Sequence, residues 1–493
     1  MTAAETGPPD RERGSVLVVD VGTSGVRATV VAPTGAVAHV EHEEVLPSTP
    51  AQGFVEFDPA ATASAALRVA TAALRRSGPV ATLGIANQRA STVLWDRASG
   101  EPVGPGIGWQ DLRTAGMCLM LREQGIRLAP NQSATKLAVL LDMADPERRR
   151  DLCFGTVDSW LAFVLSEGAL HVTDHTNAGV TGLVAPDGRS WDGGLCAALR
   201  IPAAVLPRLV DSAGVLGPAT ALEGAPQIAA LVGDQQASLV GQGCLLPGRA
   251  KATFGTGGML DCCVGEQRPG FAARGPHGCF PIIAWSEQGR LTWGVEAVML
   301  SAGTCIEWLR DDLGLIDRPS DSDGLAASVA DTGGVVFVPA LLGLGTPVWD
   351  FGARGALFGI TRGTTRAHVV RAVLEGVAQR GADLLEAAEQ DAGSEITSLA
   401  VDGGMSRNGT FLQALADATG RPVAPFPIAE ATALGAAWLA GVAAGVWPDL
   451  ATAASLVPPS PRIVPQRSTD RARWLEARER AERTVPELSA LEF

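Results

Sequence analysis

The chain has 493 residues, 46% hydrophobic and 19% charged, a globular composition too long for a single core. Its net charge of −14 argues against a general nucleic-acid or anionic-membrane binder, while leaving room for a local cationic pocket. Its 8 cysteines contain no CxxC spacing, which fits reduced thiols in the cytoplasm better than a disulfide scaffold or a zinc site. Residues 1–14, MTAAETGPPDRERG, lack an apolar segment and read as a disordered polar tail rather than a signal peptide.

Residues 15–21, SVLVVDV, form an apolar strand ending in an acid. GTSG at 22–25 is a turn and VRATVV at 26–31 a second strand, so the stretch reads as a β-hairpin with Asp20 at its entry. Hairpin glycines let backbone N–H groups approach an anion. Residues 58–76 read as an alanine-rich amphipathic helix, and 80–88, VATLGIANQ, as a strand. A helix opens in NQSATKLAVLLD at 131–142, and another covers 154–167. HVTDHTNAG at 171–179 reads as a polar loop. His171 and His175 are spaced for a helical metal pair, but no third ligand stands nearby, so loop hydrogen bonding is the expectation.

IAALVGDQQASLVGQG at 228–243 places Asp234 at the mouth of a buried strand. A carboxylate there is costly unless bonded, paired or used. It is either the cap of the next helix or a general base on a substrate hydroxyl. KATFGTGGMLDCCV at 251–264 is a second strand–glycine–strand unit, half a chain after the first. Two such hairpins suggest two related domains facing one phosphate. Residues 292–313 read as a helix, 335–358 as strand, glycine loop and strand, and 365–390 as a long amphipathic helix. A strand over 396–401 ends in DGGMSRNG at a helix start, an arrangement that suits an anion or nucleotide as well as a plain turn. The small, apolar run at 431–447 is read as a buried helix, not a membrane span. The charged 467–487 reads as a solvated surface helix. The chain's only lysines are Lys136 and Lys251, and it contains neither GxxxxGK[ST] nor GxGxxG, so P-loop and Rossmann readings lose support.

Together these stretches resemble the FGGY carbohydrate kinases, from about residue 15 to residue 450, with the wording nearest to the glycerol kinase branch. The carriers are DVGTSGVR, GFVEFDP (53–59), NQRASTVLWDR (87–97), WQDLRT (109–114), GTVDSWL (155–161), HVTDHTNA, GDQQASLVGQG, KATFGTGG and GALFGITRGTTRAHVVRAVLE (355–375). The resemblance implies an α/β, two-domain actin/hexokinase-like (ribonuclease H-like) ATPase fold with an interdomain cleft. Residues 15–248 would form the sugar-binding domain, 249–450 the nucleotide-binding domain and 451–493 a helical extension.

The resemblance further implies ATP and Mg²⁺ as cofactors and a small polyol or sugar as substrate. Asp234 would be the general base, and Asp20 would hold Mg²⁺ through water. Thr23, Ser24, Arg27, Gly255 and Thr256 would line the phosphates, and Gly303, Gly404 and Asn408 would flank the nucleotide. Arg89, Trp109, Asp234 and Gln235 would contact the polyol, with Asn131 where the branch carries a tyrosine. Homodimers and homotetramers are common in the family.

The departures lie around the substrate. Ala90 stands where the branch has a glutamate after the arginine, Met259 where it has an aromatic residue, and Val139 where it has a tryptophan. A lost carboxylate and smaller side chains suggest an acceptor larger than glycerol, a C4–C5 polyol or a ketose such as xylulose. A non-catalytic sugar- or nucleotide-binding sensor is the alternative of another class. It would be expected to lack Asp20 or Asp234, and both are present. The branch's regulatory basic loop is matched by ATALEGAPQ at 219–227, so sugar-bisphosphate inhibition through it is not expected.

Overall fold

The computed structural model describes residues 14–491; the tail read over 1–14 lies outside them apart from Gly14. Branched apolar runs form β1 (Val16–Val21) and β2 (Gly25–Val31), antiparallel about the GTSG turn, and β3 (Val37–Glu44) continues the meander. The crossover helix α1 (Pro59–Ser77) starts where the Asp58 carboxylate accepts the N–H groups of Ala60 and Ala61. It leads to β4 (Thr82–Asn87), parallel to β1. Strands β5 (Ala213–Pro218) and β6 (Gln227–Gly233) follow, and β6 runs straight into helix α2 (Asp234–Gly241).

The second half repeats the plan. β7 (Ala250–Phe254) and β8 (Gly258–Gly265) turn about GTG. Next come β9 (Phe280–Glu287), β10 (Arg290–Met299), helix α3 (Arg366–Ala392), β11 (Leu399–Asp402) and β12 (Val423–Pro425). All lie in one twelve-stranded sheet of order β12-β11-β7-β8-β10-β9-β5-β6-β4-β1-β2-β3. The sub-orders β3-β2-β1-β4-β6 and β10-β8-β7-β11-β12 match. The halves meet edge to edge where Ala213 pairs with Glu287.

Helix α4 (Ala431–Ala443) leaves the second half and packs on the first. Its Leu434, Trp438 and Leu439 share a core with Val16, Val18, Ala86 and Val232. It crosses α2 backbone to backbone: a Cβ on Gly435 would lie 1.8 Å from the Ala237 carbonyl, and one on Gly241 would lie 2.0 Å from that of Ala431. No helix among the described residues is long and apolar enough to cross a membrane.

Three sequence expectations are corrected. Residues 292–313 are strand β10 followed by a short helix, Gly303–Asp311. β10 is buried on both faces, so its apolar run has no period-2 signal to separate it from a helix. HVTDHTNAG is a strand, Val172–Asp174, and a helical turn, His175–Gly179, capped by Asp174. The C-terminal helix, α5 (Arg471–Ala481), is docked rather than solvated, with Trp474, Ala477 and Ala481 buried. Asp383 on α3 holds it: its carboxylate pairs with Arg380 (2.7 Å), Arg471 (2.7 Å) and Arg478 (3.1 Å) and accepts from Trp474 Nε1.

Candidate active site

Three parallel strands bring the first acids together. Asp20 is level with Ala86 of β4, and Ala86 with Val232 of β6, so Asp234 begins α2 two residues beyond. This is the carboxyl end of the strands, where open α/β sheets bind ligands. Gly233 is the N-cap of α2, and Asp234 makes no cap bond; its Oδ1 accepts from the N–H of Gln235, at 2.8 Å. The cap reading of Asp234 thus lapses. Burial raises the Asp20 carboxyl to about 7, with Asp234 adding to the rise and Arg27 opposing it. Burial also raises Asp234, while Arg89 pulls it down. The two carboxyls repel one another at the strand ends.

The first hairpin turn carries Thr23 and Ser24. Thr23 Oγ1 accepts from Trp109 Nε1 at 3.2 Å, and Ser24 is exposed. Arg27 is exposed and reaches Glu430, at the start of α4, at 3.9 Å. In the second turn, Gly255 O accepts from Gly303 N (2.7 Å) and Thr256 O from Ala302 N (2.9 Å), tying the turn to the helix over Gly303–Asp311. Gly403, at φ 87°, passes so close to Phe254 O that a Cβ would lie 2.5 Å from it. Gly255 and Gly404 face open space. Asn408 caps the helix Gly409–Thr419 through Phe411 N (2.8 Å) and donates to Ser322 (3.0 Å). These exposed turns and free backbone faces fit a triphosphate and nucleotide. Among the described residues no group of three or more His, Cys, Asp or Glu side chains gathers for a metal. Mg²⁺ is ordinarily held by one or two carboxylates together with substrate phosphates.

Sequence reading missed a charged ladder between the halves. Lys251, Asp261 and Glu296 stand directly opposite one another on β7, β8 and β10. Lys251 Nζ lies 2.7 Å from Asp261 and 2.5 Å from Gln235 Oε1. Glu296 lies 2.6 Å from Arg89, whose Nε is 3.7 Å from Asp234. Since Asp234 and Gln235 are neighbours, six side chains close a ring, three from each half. The available signal was an acid or lysine inside an apolar strand, as in MLDCC. Asn131 is exposed, its backbone oxygen accepting from the buried Lys136 at 3.3 Å, and the same Lys136 Nζ donates to Gly108 O beside Trp109. His171 and His175 are hydrogen-bonded to Phe154 O and Ser286 Oγ.

Burial, and then Asp261 against the opposing Arg89, pushes Glu296 from 4.5 up to about 7. Folding therefore takes up protons in that window, and stability should fall as pH rises from about 4.5 through 7. Glu296→Gln should flatten part of this slope; urea midpoints at pH 5 and pH 8 measure it. An unchanged slope would contradict the assignment.

Duplicated half-sheets, two glycine turns and an acid pair at the strand ends fit a two-domain phosphotransferase. A family model for the N-terminal domain of the FGGY carbohydrate kinases matches residues 15–241, and one for the C-terminal domain matches 250–444. The chain belongs to the FGGY family of carbohydrate kinases. It is 44% identical to a glycerol kinase of Dechloromonas aromatica, covering 96% of this chain and 98% of that one. It is 43% identical to a glycerol kinase of Aromatoleum aromaticum, at 94% and 98% coverage. Among solved structures, Plasmodium falciparum glycerol kinase with ADP superposes with a TM-score of 0.87 at 26% identity, covering 97% and 99% of the chains. A Rhodospirillum rubrum xylulose kinase shares the fold, with a TM-score of 0.82 at 21% identity and 94% and 98% coverage. The fold is the two-domain, actin/hexokinase-like sugar kinase fold, and the chain is an ATP- and Mg²⁺-dependent phosphotransferase acting on a polyol or sugar hydroxyl.

Proposed function

We propose that the chain transfers the γ-phosphoryl group of ATP to a primary hydroxyl of a short polyol bound at Asp234, with glycerol as the reference acceptor. The observation that carries this is Asp234 itself: a partly exposed carboxylate at the first residue of α2, with no cap bond and Arg89 beside it. It takes the hydroxyl proton as the oxygen attacks. Thr23, Ser24, Arg27, Gly255 and Thr256 position the phosphates. Gly303, Gly404 and Asn408 border the nucleotide, and Arg89, Trp109, Gln235 and Asn131 border the polyol. Asp20 holds Mg²⁺, which when bound neutralises charge on the transferring phosphoryl group. Residues 15–248 and 249–450 act as the two jaws, and 451–493 as a strap on the second. The cytoplasm is the proposed site of action, and a homodimer or homotetramer the proposed assembly, both on family likeness.

One observation favours a wider acceptor. Ala90 is buried beside Arg89 and offers only a methyl group, while Asn131 is exposed. A coupled ADP-release assay across glycerol, erythritol, ribitol, arabinitol, xylulose and ribulose separates the readings. Turnover on glycerol at least as efficient as on any C4–C5 compound removes the wider pocket. No turnover on any of them removes the proposal.

A further inference from the structure

We propose that Thr176 and Asn177, on the helical turn His175–Gly179, are positioning residues for phosphoryl transfer: they fix the ends of the two strands that deliver Asp234 and Arg89. The inference rests on the polyol kinase reading and names what holds its site in place.

The strand register shows why such a hold is required. β4 and β6 run parallel, and their pairing ends with Asn87 opposite Gly233. Arg89 and Asp234 lie just past that last rung. On its other edge β6 is losing β5 as well: Leu231 N still donates to Ser212 O, at 3.2 Å. Two residues on, along the same edge, Gly233 N donates to Thr176 Oγ1 at 2.8 Å. A side chain thus continues the ladder where the strand stops.

Asp174 sets the direction of both groups. Its carboxylate accepts from Thr176 N, Thr176 Oγ1, Asn177 N and Asn177 Nδ2, each at 2.9 Å, and from Ser212 Oγ at 2.6 Å. A hydroxyl has one proton. With that proton on Asp174, Thr176 Oγ1 can only accept, and its lone pair meets the N–H of the residue before Asp234. Asn177 and Asn87 exchange amide hydrogen bonds at 2.8 and 3.1 Å. Asn87 Nδ2 also donates to the carbonyl of Gln88, the residue before Arg89, at 2.9 Å. Asn87, Asp174, Thr176 and Asn177 are each at most 1% exposed, so a lost bond leaves a buried group unpaired. Thr176 therefore acts through the base and Asn177 through the guanidinium, and kinetics should separate them.

The test uses Mg-ATP and whichever of the polyols and ketoses above the unaltered protein turns over best. Thr176→Val keeps the shape of the side chain but leaves Gly233 N without its acceptor. Its kcat, counted per ADP-binding site, should fall about tenfold while KM for the acceptor stays within about twofold. Thr176→Ser packs less well but keeps the hydroxyl, so it should retain kcat; a merely structural role would make it the worse of the two. Asn177→Ala should raise KM about tenfold and leave kcat within about threefold. An unaltered kcat in Thr176→Val, a Thr176→Ser as slow as Thr176→Val, or kcat and KM moving together in both Thr176→Val and Asn177→Ala overturns the inference. If the unaltered protein phosphorylates none of the compounds, the kinase reading fails, and amide hydrogen exchange decides the positioning. It stands if Thr176→Val speeds exchange over residues 228–236 more than elsewhere in the sheet, and falls otherwise.

Discussion

Asp234→Asn is expected to lower kcat by about 10²- to 10⁴-fold, the contribution of a positioned general base, while polyol binding persists. The amide keeps the shape of the carboxylate and retains an oxygen for the Gln235 N–H, now at 2.8 Å, so α2 should begin as before. What it loses is the capacity to take a proton. Calorimetry with the polyol and single-turnover kinetics with Mg-ATP separate the two effects. Near-normal turnover would exclude Asp234 as the base and return it to a structural role at the strand end. Loss of binding together with turnover would instead place its charge in holding Arg89, 3.7 Å away.

The largest stability effect is expected at Asp383→Asn. One buried carboxylate there serves Arg380, Arg471 and Arg478, and the side chains of Arg380 and Asp383 are fully buried. Burial would raise the Asp383 carboxyl, but the three guanidiniums hold it below the ordinary carboxylate range. Removing its charge leaves the buried Arg380 without a counter-ion, which costs about 3–5 kcal/mol, while Arg471 and Arg478 keep Glu386 and Glu482. The damage should focus on α5, whose Trp474 Nε1 donates to the same carboxylate at 3.1 Å. A lower urea midpoint and faster tryptic cleavage at the arginines of α5 are the expected readouts. An unchanged midpoint would mean that apolar packing of Trp474 and Ala477 alone secures the strap.

Local patterns carried much of the architecture. The two glycine hairpins, the Asp58-capped helix and the strand ending at Asp234 could be read because each is specified by neighbours within about ten residues. The helix–strand exchange at residues 292–299 could not. A strand buried on both faces loses alternation, and only pairing with Phe280–Glu287 and Gly258–Gly265 decides it. The ladder of Lys251, Asp261 and Glu296 was hidden for another reason. Each residue seemed an isolated charge in an apolar run, and the register of three strands places them opposite one another. Arg89 joins them across 207 positions of sequence, a distance over which no periodic pattern operates. α5 was misjudged because its charged residues suggested water, whereas Arg471 and Arg478 turn inward to Asp383.

The exchange of α4 between halves also bears on synthesis. The apolar face built from Val16, Val18, Ala86 and Val232 leaves the ribosome early, but its cover, Leu434 to Leu439, emerges only after the whole second half. At about 5–20 residues per second, the roughly 190 intervening residues take about 10–40 s. Throughout that interval the nascent amino-terminal half carries an open greasy surface and cannot complete its own core. Completion of that core waits for the end of translation.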